Sequence, residues 1–437
     1  MKRQMKDSGI EWIGQIPEEW HVSKIKNVYI VILGKMLSPS QTQKDQTLEN
    51  YLCAANIKWS GVDTSIQKQM WFSESDKAEY KLHEGDILIM EGGLAGTSCK
   101  YRGEMAPCFI QNSVHCCRAK SNYSNQFLYY WMNVVYNSKY IENICNKATI
   151  QHYTKEKVMN TPFLICSSLE QEKIVSYLDR KCAQIDAIIA KQQQIIEKLK
   201  EYKLSVITEA VTKGLDPNVP MKDSGVEWIG KVPEGWIITS LRNGLSNIQT
   251  GPFGSQLHAE DYIENGIFVI NPANIVDGEI IPDKKCSITN DKAAELSQHI
   301  LKTGDILFAR RGEMGRCAYF CDGIGRCLCG TGCIKLQCNK MLLPKFASWF
   351  LQMLGVKQYL SLHSVGTTMA NLNSNIIAAI PTVLPPIKEQ KQIVRYIENK
   401  MRSIQELQKK NESITKKLMD YKKSLIYEIV TGKREVF

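Results

Sequence analysis

The chain has 437 residues, 43% of them hydrophobic and 23% charged, which is ordinary globular composition and enough apolar material for more than one core. No run approaches the ~18 uncharged apolar residues of a membrane span, and the start, Met1–Gly14, turns polar and acidic where a signal peptide would need an apolar stretch. The formal charge of +10 is modest for this length and concentrates in residues 386–437, so a uniformly basic coat is excluded and a cytoplasmic protein with no membrane partner is expected.

In chain order, the first recognisable element is the head Met5–Trp20, followed by a stretch without clear pattern (21–83). A turn at Gly85-Asp86 then leads into the apolar strand Ile-Leu-Ile-Met, and Lys100 and Arg102 follow it. From residue 169 the pattern becomes helical. Ile174, Leu178, Cys182, Ile185, Ile188, Gln192, Ile195, Leu199, Tyr202 and Val206 step by threes and fours, with Lys, Glu and Gln between them. Gly214, Pro217 and Pro220 stop that helix and mark a linker.

A second head, Met221–Trp236, opens the other half, and Thr250-Gly251-Pro252-Phe253-Gly254-Ser255 follows. Gly304-Asp305 leads into the strand Ile-Leu-Phe-Ala, and then come Arg310, Arg311 and Arg316 around a Gly312…Gly315 turn. Six of the fifteen cysteines cluster at 317–338 with no C-x2-C pair and little histidine. Strand thiols fit that spacing better than zinc ligands, and with no export signal the cysteines should be free. Gly366–Asn373, then prolines at 381, 385 and 386, precede a second helical run. In it Ile393, Ile397, Met401, Ile404, Leu407, Asn411, Ile414, Leu418, Tyr421 and Leu425 keep the spacing of the first.

The chain is therefore a duplication. Met5–Trp20 recurs at Met221–Trp236, 216 residues on, while Glu84–Gly93, Leu169–Lys181 and Leu199–Thr212 recur 219 residues on, at Thr303–Gly312, Lys388–Lys400 and Leu418–Thr431. The stretches between share only scattered positions, such as Asn56-Ile57 against Asn274-Ile275. A repeated framework around divergent middles suits two sites that read different things. The two helices should pair as an antiparallel coiled coil, with Gln192 and Asn411 as polar seam positions that set register; the alternative is that each lies on its own globular domain. The expected fold class is α+β, with two tandem recognition domains of mostly β content separated by the helix pair in a pseudo-twofold, circular arrangement. Boundaries are expected at 1–168, 169–216, 217–385 and 386–437.

Catalytic motifs are missing. The chain carries no G-x-x-x-x-G-K-[ST] loop for nucleotide hydrolysis and no G-x-G-x-x-G after a strand. Asn271-Pro272-Ala273-Asn274 lacks the second proline and the aromatic residue of an amino-methyltransferase tetrad. The Glu-x-Lys pairs at Glu201-Lys203 and Glu398-Lys400 lie in helices without a partnered Asp.

The duplicated D-S-G-x-E-W-I-G-x-x-P-E-x-W head, T-G-P-F-G-S, the G-D-I-L pair, G-T-T-M-A-N-L-N and L-P-P-x-x-E-Q-x-x-I before a long helix together resemble the specificity subunits of type I restriction–modification systems. The resemblance covers nearly the whole chain; the first unit departs from it with Cys166-Ser167 for Pro385-Pro386 and no T-G-P-F-G-S. It implies a non-catalytic DNA-specificity subunit. Its two domains each read half of a split double-stranded DNA site, and its helices set the spacing and dock two modification subunits. Those partners would carry S-adenosylmethionine and methylate adenine, restriction subunits can join, and no cofactor is expected in this chain. A scaffold whose two units bind protein is the competing reading, and salt-sensitive duplex binding separates the two. Physical chemistry nominates DNA contacts at Arg310, Arg311 and Arg316, and at Lys100 and Arg102, read as the corresponding part of the first unit. Thr250, Gly251, Phe253, Gly254 and Ser255 join them, with backbone amides of the glycine run open to phosphate. Solvated charge or turn geometry is the competing reading for each, and for Gly85-Asp86 and Gly304-Asp305 strand-entry turns are expected.

Overall fold

A computed structural model describes residues 3–436 other than 121, 146–150, 313–314 and 365–371. The chain forms two compact units, residues 1–192 with 412–437 and residues 193–411. Each contains the beginning of one long helix and the end of the other, so the two helices run antiparallel within each unit. This division cuts across the expected boundaries, because both helices are split near their midpoints rather than standing apart from the domains.

The first unit is built on an antiparallel sheet of β1 (Tyr29–Leu33), β2 (Ile87–Met90), β3 (Ser98–Lys100) and β4 (Val114–Ala119), in the order β3-β2-β4-β1. Helix α1 (Asn125–Asn137) belongs to the same core, where Trp131, Phe127 and Phe163 meet edge to face. Helix α2 (Ser168–Lys213) then leaves the unit. In the second unit β5 (Leu245–Thr250), β6 (Ile306–Ala309), β7 (Cys317–Tyr319) and β8 (Cys333–Cys338) form a sheet of order β5-β8-β6-β7. Helix α3 (Pro344–Leu351) and the long α4 (Ile387–Val430) complete it.

The divergent middles hide a repeated topology. In the first, Thr47–Leu52 pairs in parallel with Phe109–Ile110 and antiparallel with Gln69–Phe72. In the second, Ile267–Ile270 pairs in parallel with Cys327–Cys329 and antiparallel with Ser287–Ile288. Asn56 and Asn274, the scattered matches, are buried turn formers: their Oδ1 atoms accept from Cys53 N and Asn271 N, each at 3.0 Å. Asn271–Asn274 is thus a closed turn, which accounts for its partial likeness to a catalytic tetrad.

Several repeated motifs are hydrogen-bond pins. The Gly9 and Gly225 amides donate to Asp7 and Asp223, at 2.9 Å in both heads. The indole N–H groups of the buried Trp20 and Trp236 donate to Glu170 and Glu389, at 2.8 and 3.0 Å, in the first turns of α2 and α4, where carboxylates also suit the helix dipole. The next residue caps the domain helix: Gln171 Oε1 accepts from Ser124 N and Gln390 Oε1 from Leu343 N, and both positions are the N-caps of α1 and α3. Cys166-Ser167 and Pro385-Pro386 are equivalent helix entries, with Gln171 N donating to Ser167 O and Gln390 N to Pro386 O. The G-D turns are as expected, Gly85 and Gly304 having φ of +95° and +99°, with Asp86 and Asp305 accepting from His83 N and Lys302 N.

The helices are uninterrupted over 46 and 44 residues, so α2 alone runs ~69 Å at ~1.5 Å per residue. Their seam keeps the expected positions except five. In the first unit Ile174, Leu178, Cys182 and Ile185 bury in one core with Leu425, Ile426 and Ile429, and in the second Val206, Ile207 and Ala210 with Ile393, Ile397, Met401 and Ile404. Toward their middles the half-buried positions of α2 are Ile189, Gln192, Ile196 and Leu199, and those of α4 are Gln408, Asn411, Ile414, Thr415 and Leu418. Ile188, Ile195, Tyr202, Leu407 and Tyr421 are each between 42% and 51% exposed. Ile188-Ile189 and Ile195-Ile196 are adjacent apolar pairs, so either member satisfies the three–four spacing, and packing selects the second. Gln192 and Asn411 remain at half-buried positions; Gln192 Oε1 has no partner, and Asn411 Nδ2 donates to Leu407 O at 2.7 Å.

The circular arrangement is visible inside the first unit, where the end of α4 grips the N-terminal head. Tyr427 and Lys433 donate to Ile13 O at 3.1 and 2.8 Å, and Gly432, at φ +71°, sits where a Cβ would strike Pro17. In the second unit Gly214, at φ +75°, does the same against Trp236 and Glu389.

Candidate nucleic-acid interface

One end of the second unit's four-stranded sheet gathers the loops in which its candidate residues lie. In the second unit β5 exits into Gly251–Ser255, β6 exits into the Arg310–Arg316 hairpin, and β8 is entered from Gly330–Gly332. Backbone bonds lock these loops together: Gly251 N donates to Cys333 O (2.9 Å), Ala309 N to Arg316 O (2.8 Å), Arg310 N to Gly332 O (2.9 Å) and Leu372 N to Arg310 O (3.1 Å). Arg310 Nε donates to Leu372 O at 3.1 Å, while Arg311 is exposed. The stretch Gly366–Asn373 lies outside the described residues except for Leu372 and Asn373, whose Oδ1 caps a short helix at Ile376 N.

The first unit repeats this edge bond for bond. Gly34 N donates to Val114 O (3.1 Å), Met90 N to Thr97 O (2.8 Å), Glu91 N to Ser113 O (3.0 Å) and Tyr153 N to Glu91 O (2.7 Å). Glu91 therefore occupies the position of Arg310, and Thr97 that of Arg316. Two corrections follow. Lys100 and Arg102 are not the counterparts of the arginine hairpin: Lys100 pairs with Ile87 at the opposite end of the sheet, and both line a cleft of about 530 Å³ with Trp59, Asp179, Asp186 and Lys422. The Gly251–Ser255 run is also not an open amide cradle, because Gly251 N is committed to Cys333 O and Phe253 N to Gln256 Oε1.

The glycines of that run differ in what they require. A Cβ on Gly251 would lie 1.9 Å from Gly330 O, whereas Gly254 has open space around it. Gly34 matches Gly251, with a Cβ 2.5 Å from the Gln111 backbone. Its role was missed because Leu33-Gly34-Lys35 lacks the T-G-P-F-G-S signature; a glycine followed by bulky apolar residues was the available signal. Each edge carries such residues in solvent: Met36 (75% exposed), Leu37 (57%) and Leu94 (66%) in the first, Phe253 (64%) in the second.

Burial pushes the thiols of Cys317, Cys327 and Cys329 up to about 12, so these side chains pack as neutral groups rather than as thiolates. Cys321, by contrast, is exposed. Among the described residues no group of three His, Cys, Asp or Glu converges as a metal site, and no helix is long and apolar enough to cross a membrane.

Two copies of one α+β unit, each offering a locked loop edge of differing side chains, and each holding halves of two long helices, define a duplicated recognition protein. The chain matches the model of the Type I restriction modification DNA specificity domain twice, at residues 17–201 and 233–416, and it belongs to that family. It is a type I specificity subunit with two target-recognition domains. Among curated relatives it is 23% identical to the Type I restriction enzyme MjaVIII specificity subunit of Methanocaldococcus jannaschii, over 97% of this chain and 94% of that one. It is 25% identical to the EcoKI specificity subunit of Escherichia coli K12, over 88% and 82%. Among solved structures, a chain from work on complex assembly and conformational transition of the type I R-M system superposes with a TM-score of 0.72 at 15% identity, covering 96% of this chain and 99% of that one. The HsdS subunit from Thermoanaerobacter tengcongensis gives 0.52 at 15% identity, over 96% and 98%. At that identity these two likenesses speak for the fold.

Proposed function

We propose that the locked loop edges are the DNA-reading surfaces, one per half of a split site, and that the chain aims a partner methyltransferase without catalysing anything itself. The observation that carries this reading is that two edges with matching backbone bonds present different side chains, Glu91 against Arg310 and Leu94 against the arginine hairpin. A fixed frame with exchanged side chains changes what is read while preserving how the duplex is held. S-adenosylmethionine belongs to the modification partner, and the chain's own residues supply binding and orientation only.

The exposed stripe on the helices supports docking of that partner. Ile188 and Tyr421 belong to the first unit and Ile195, Tyr202 and Leu407 to the second, so each unit has one such set, which fits two modification subunits. Restriction subunits join through that assembly, and the length of the helices sets the gap between half-sites.

Replacing residues 237–383 with the matching region of a relative, in the assembled complex, tests the reading by mapping methylated adenines in genomic DNA. One half of the methylated motif should change and the other should stay. If both halves change together, the two-reader model is wrong.

A further inference from the structure

The two loop edges share a backbone but have opposite chemistry. Beside Phe253, the second carries Arg310, oriented by Leu372 O, and the exposed Arg311. The first places a carboxylate, Glu91, at the position of Arg310, and holds Met36, Leu37 and Leu94 of its loops out in solvent. These apolar side chains are not fraying ends. Gly34 N, Lys35 N and Thr97 N all donate to backbone carbonyls (3.1, 2.9 and 3.0 Å), so the loops present them in a set position. Clustered exposed apolar groups on a rigid edge mark a contact surface.

At the first edge Lys35 is paired with Asp76 at 2.5 Å, and Glu91, whose carboxyl burial pushes up, lies 4.0 Å from the exposed His152. The described part of this edge thus offers apolar side chains where the other offers arginine, and apolar groups gain nothing from phosphates. What remains is contact with base edges, and the apolar group that the major groove offers is the C5-methyl of thymine, whereas guanine offers the O6 and N7 acceptors that suit arginine.

From this contrast we infer that the two units read different base classes: the first reads T·A pairs through contact of Leu94, Met36 and Leu37 with thymine methyls, and the second reads guanine through Arg311 and Arg310. The inference rests on the reading of the edges as DNA-facing and adds the chemistry of each.

The test uses the native complex of this chain with its modification subunits, and duplexes carrying the site found by methylation mapping. Each thymine is replaced in turn by deoxyuridine, which removes only the methyl, and each guanine by 7-deazaguanine, which removes only N7. Loss of a buried methyl should weaken binding about fourfold, at positions confined to one half-site. Loss of N7 should weaken it about tenfold, at positions confined to the other. In complexes carrying Leu94→Ala the thymine–uracil difference should vanish, and with Arg311→Ala the guanine–deazaguanine difference should vanish; both residues are exposed, so neither change threatens the fold.

The absence of any thymine–uracil difference in the first half-site, or a difference that survives Leu94→Ala, overturns the inference. If that happens while exchange of residues 237–383 still changes one half-site alone, the two-reader model stands and only this chemistry falls. If Leu94→Ala instead releases the modification subunits, the edge is a protein interface and both readings fall.

Discussion

His115 lies fully buried in β4, its Nε2 at 2.8 Å from Tyr153 O and its Nδ1 without a partner. Burial holds its pKa down, to about 4, because the charged ring has nowhere to be solvated. Between about 4 and the ordinary value near 6.5 the unfolded chain binds a proton that the folded chain refuses, so stability falls as pH falls through that window. The slope from this one group is at most about 1.4 kcal/mol per pH unit. The second unit has Ile334 at the matching position of its sheet. His115→Ile should therefore flatten the pH dependence of urea unfolding between pH 6.5 and 4, and equal slopes for the two proteins would refute the assignment. At the same scale, Gly251 and Gly34 show how one missing Cβ decides whether an edge loop can lie against its neighbour at all.

At the scale of elements, the long helices carry a buried seam and, on other faces, an exposed apolar stripe. The buried seam of Leu178, Ile185, Ile397 and Ile404 fastens them within their units, and the exposed heptad-spaced set Ile188, Ile195 and Tyr202 contributes little to that fastening. Exposed substitutions of this kind usually change stability by no more than about 0.5 kcal/mol. Tyr202→Ser combined with Leu407→Ser, both in the second unit, should leave the unfolding midpoint nearly unchanged while the purified complex retains one modification subunit instead of two. Native mass spectrometry counts the subunits directly. Full occupancy of both sites in that variant would remove the stripe from the docking surface.

For the whole molecule, duplication means that a junction made by continuous chain in one unit is made by chain ends in the other. In the second unit Lys213 runs through Gly214 to the head at Met221, with Gly214 against Trp236. In the first unit the same place is held by Arg434, Glu435 and Val436 beside Arg3, Glu19 and Trp20 around one cleft. Closeness of the ends makes circular permutation tolerable. A short linker from Phe437 to Met1, with new ends opened in the 214–220 stretch, should yield a subunit that directs methylation to the same site at comparable levels. Loss of methylation by a permutant that still assembles with its partners would show that the 214–220 connection does more than join the units.

Much was legible in the sequence because it is carried by local pattern. The heads, the G-D turns, the E-Q pins and the unbroken helices are short motifs whose hydrogen bonds close within a few residues or recur in both repeats, and repetition made them readable without a structure. The amphipathic spacing announced two long helices, and Gly214 announced where the first one stops. Side-chain selection on those helices was decided by packing: Ile188-Ile189 and Ile195-Ile196 offer two valid stripes, and only the neighbours in each core choose between them. The likeness of the two middles was invisible for a related reason, since strand pairing uses backbone groups that every residue has, so Thr47–Leu52 and Ile267–Ile270 share a topology with almost no shared sequence. The candidate interface needed the sheet itself. Order along the chain matches Lys100 to the arginine hairpin, but antiparallel pairing sends successive strand ends to opposite edges, which places Glu91 at the position equivalent to Arg310.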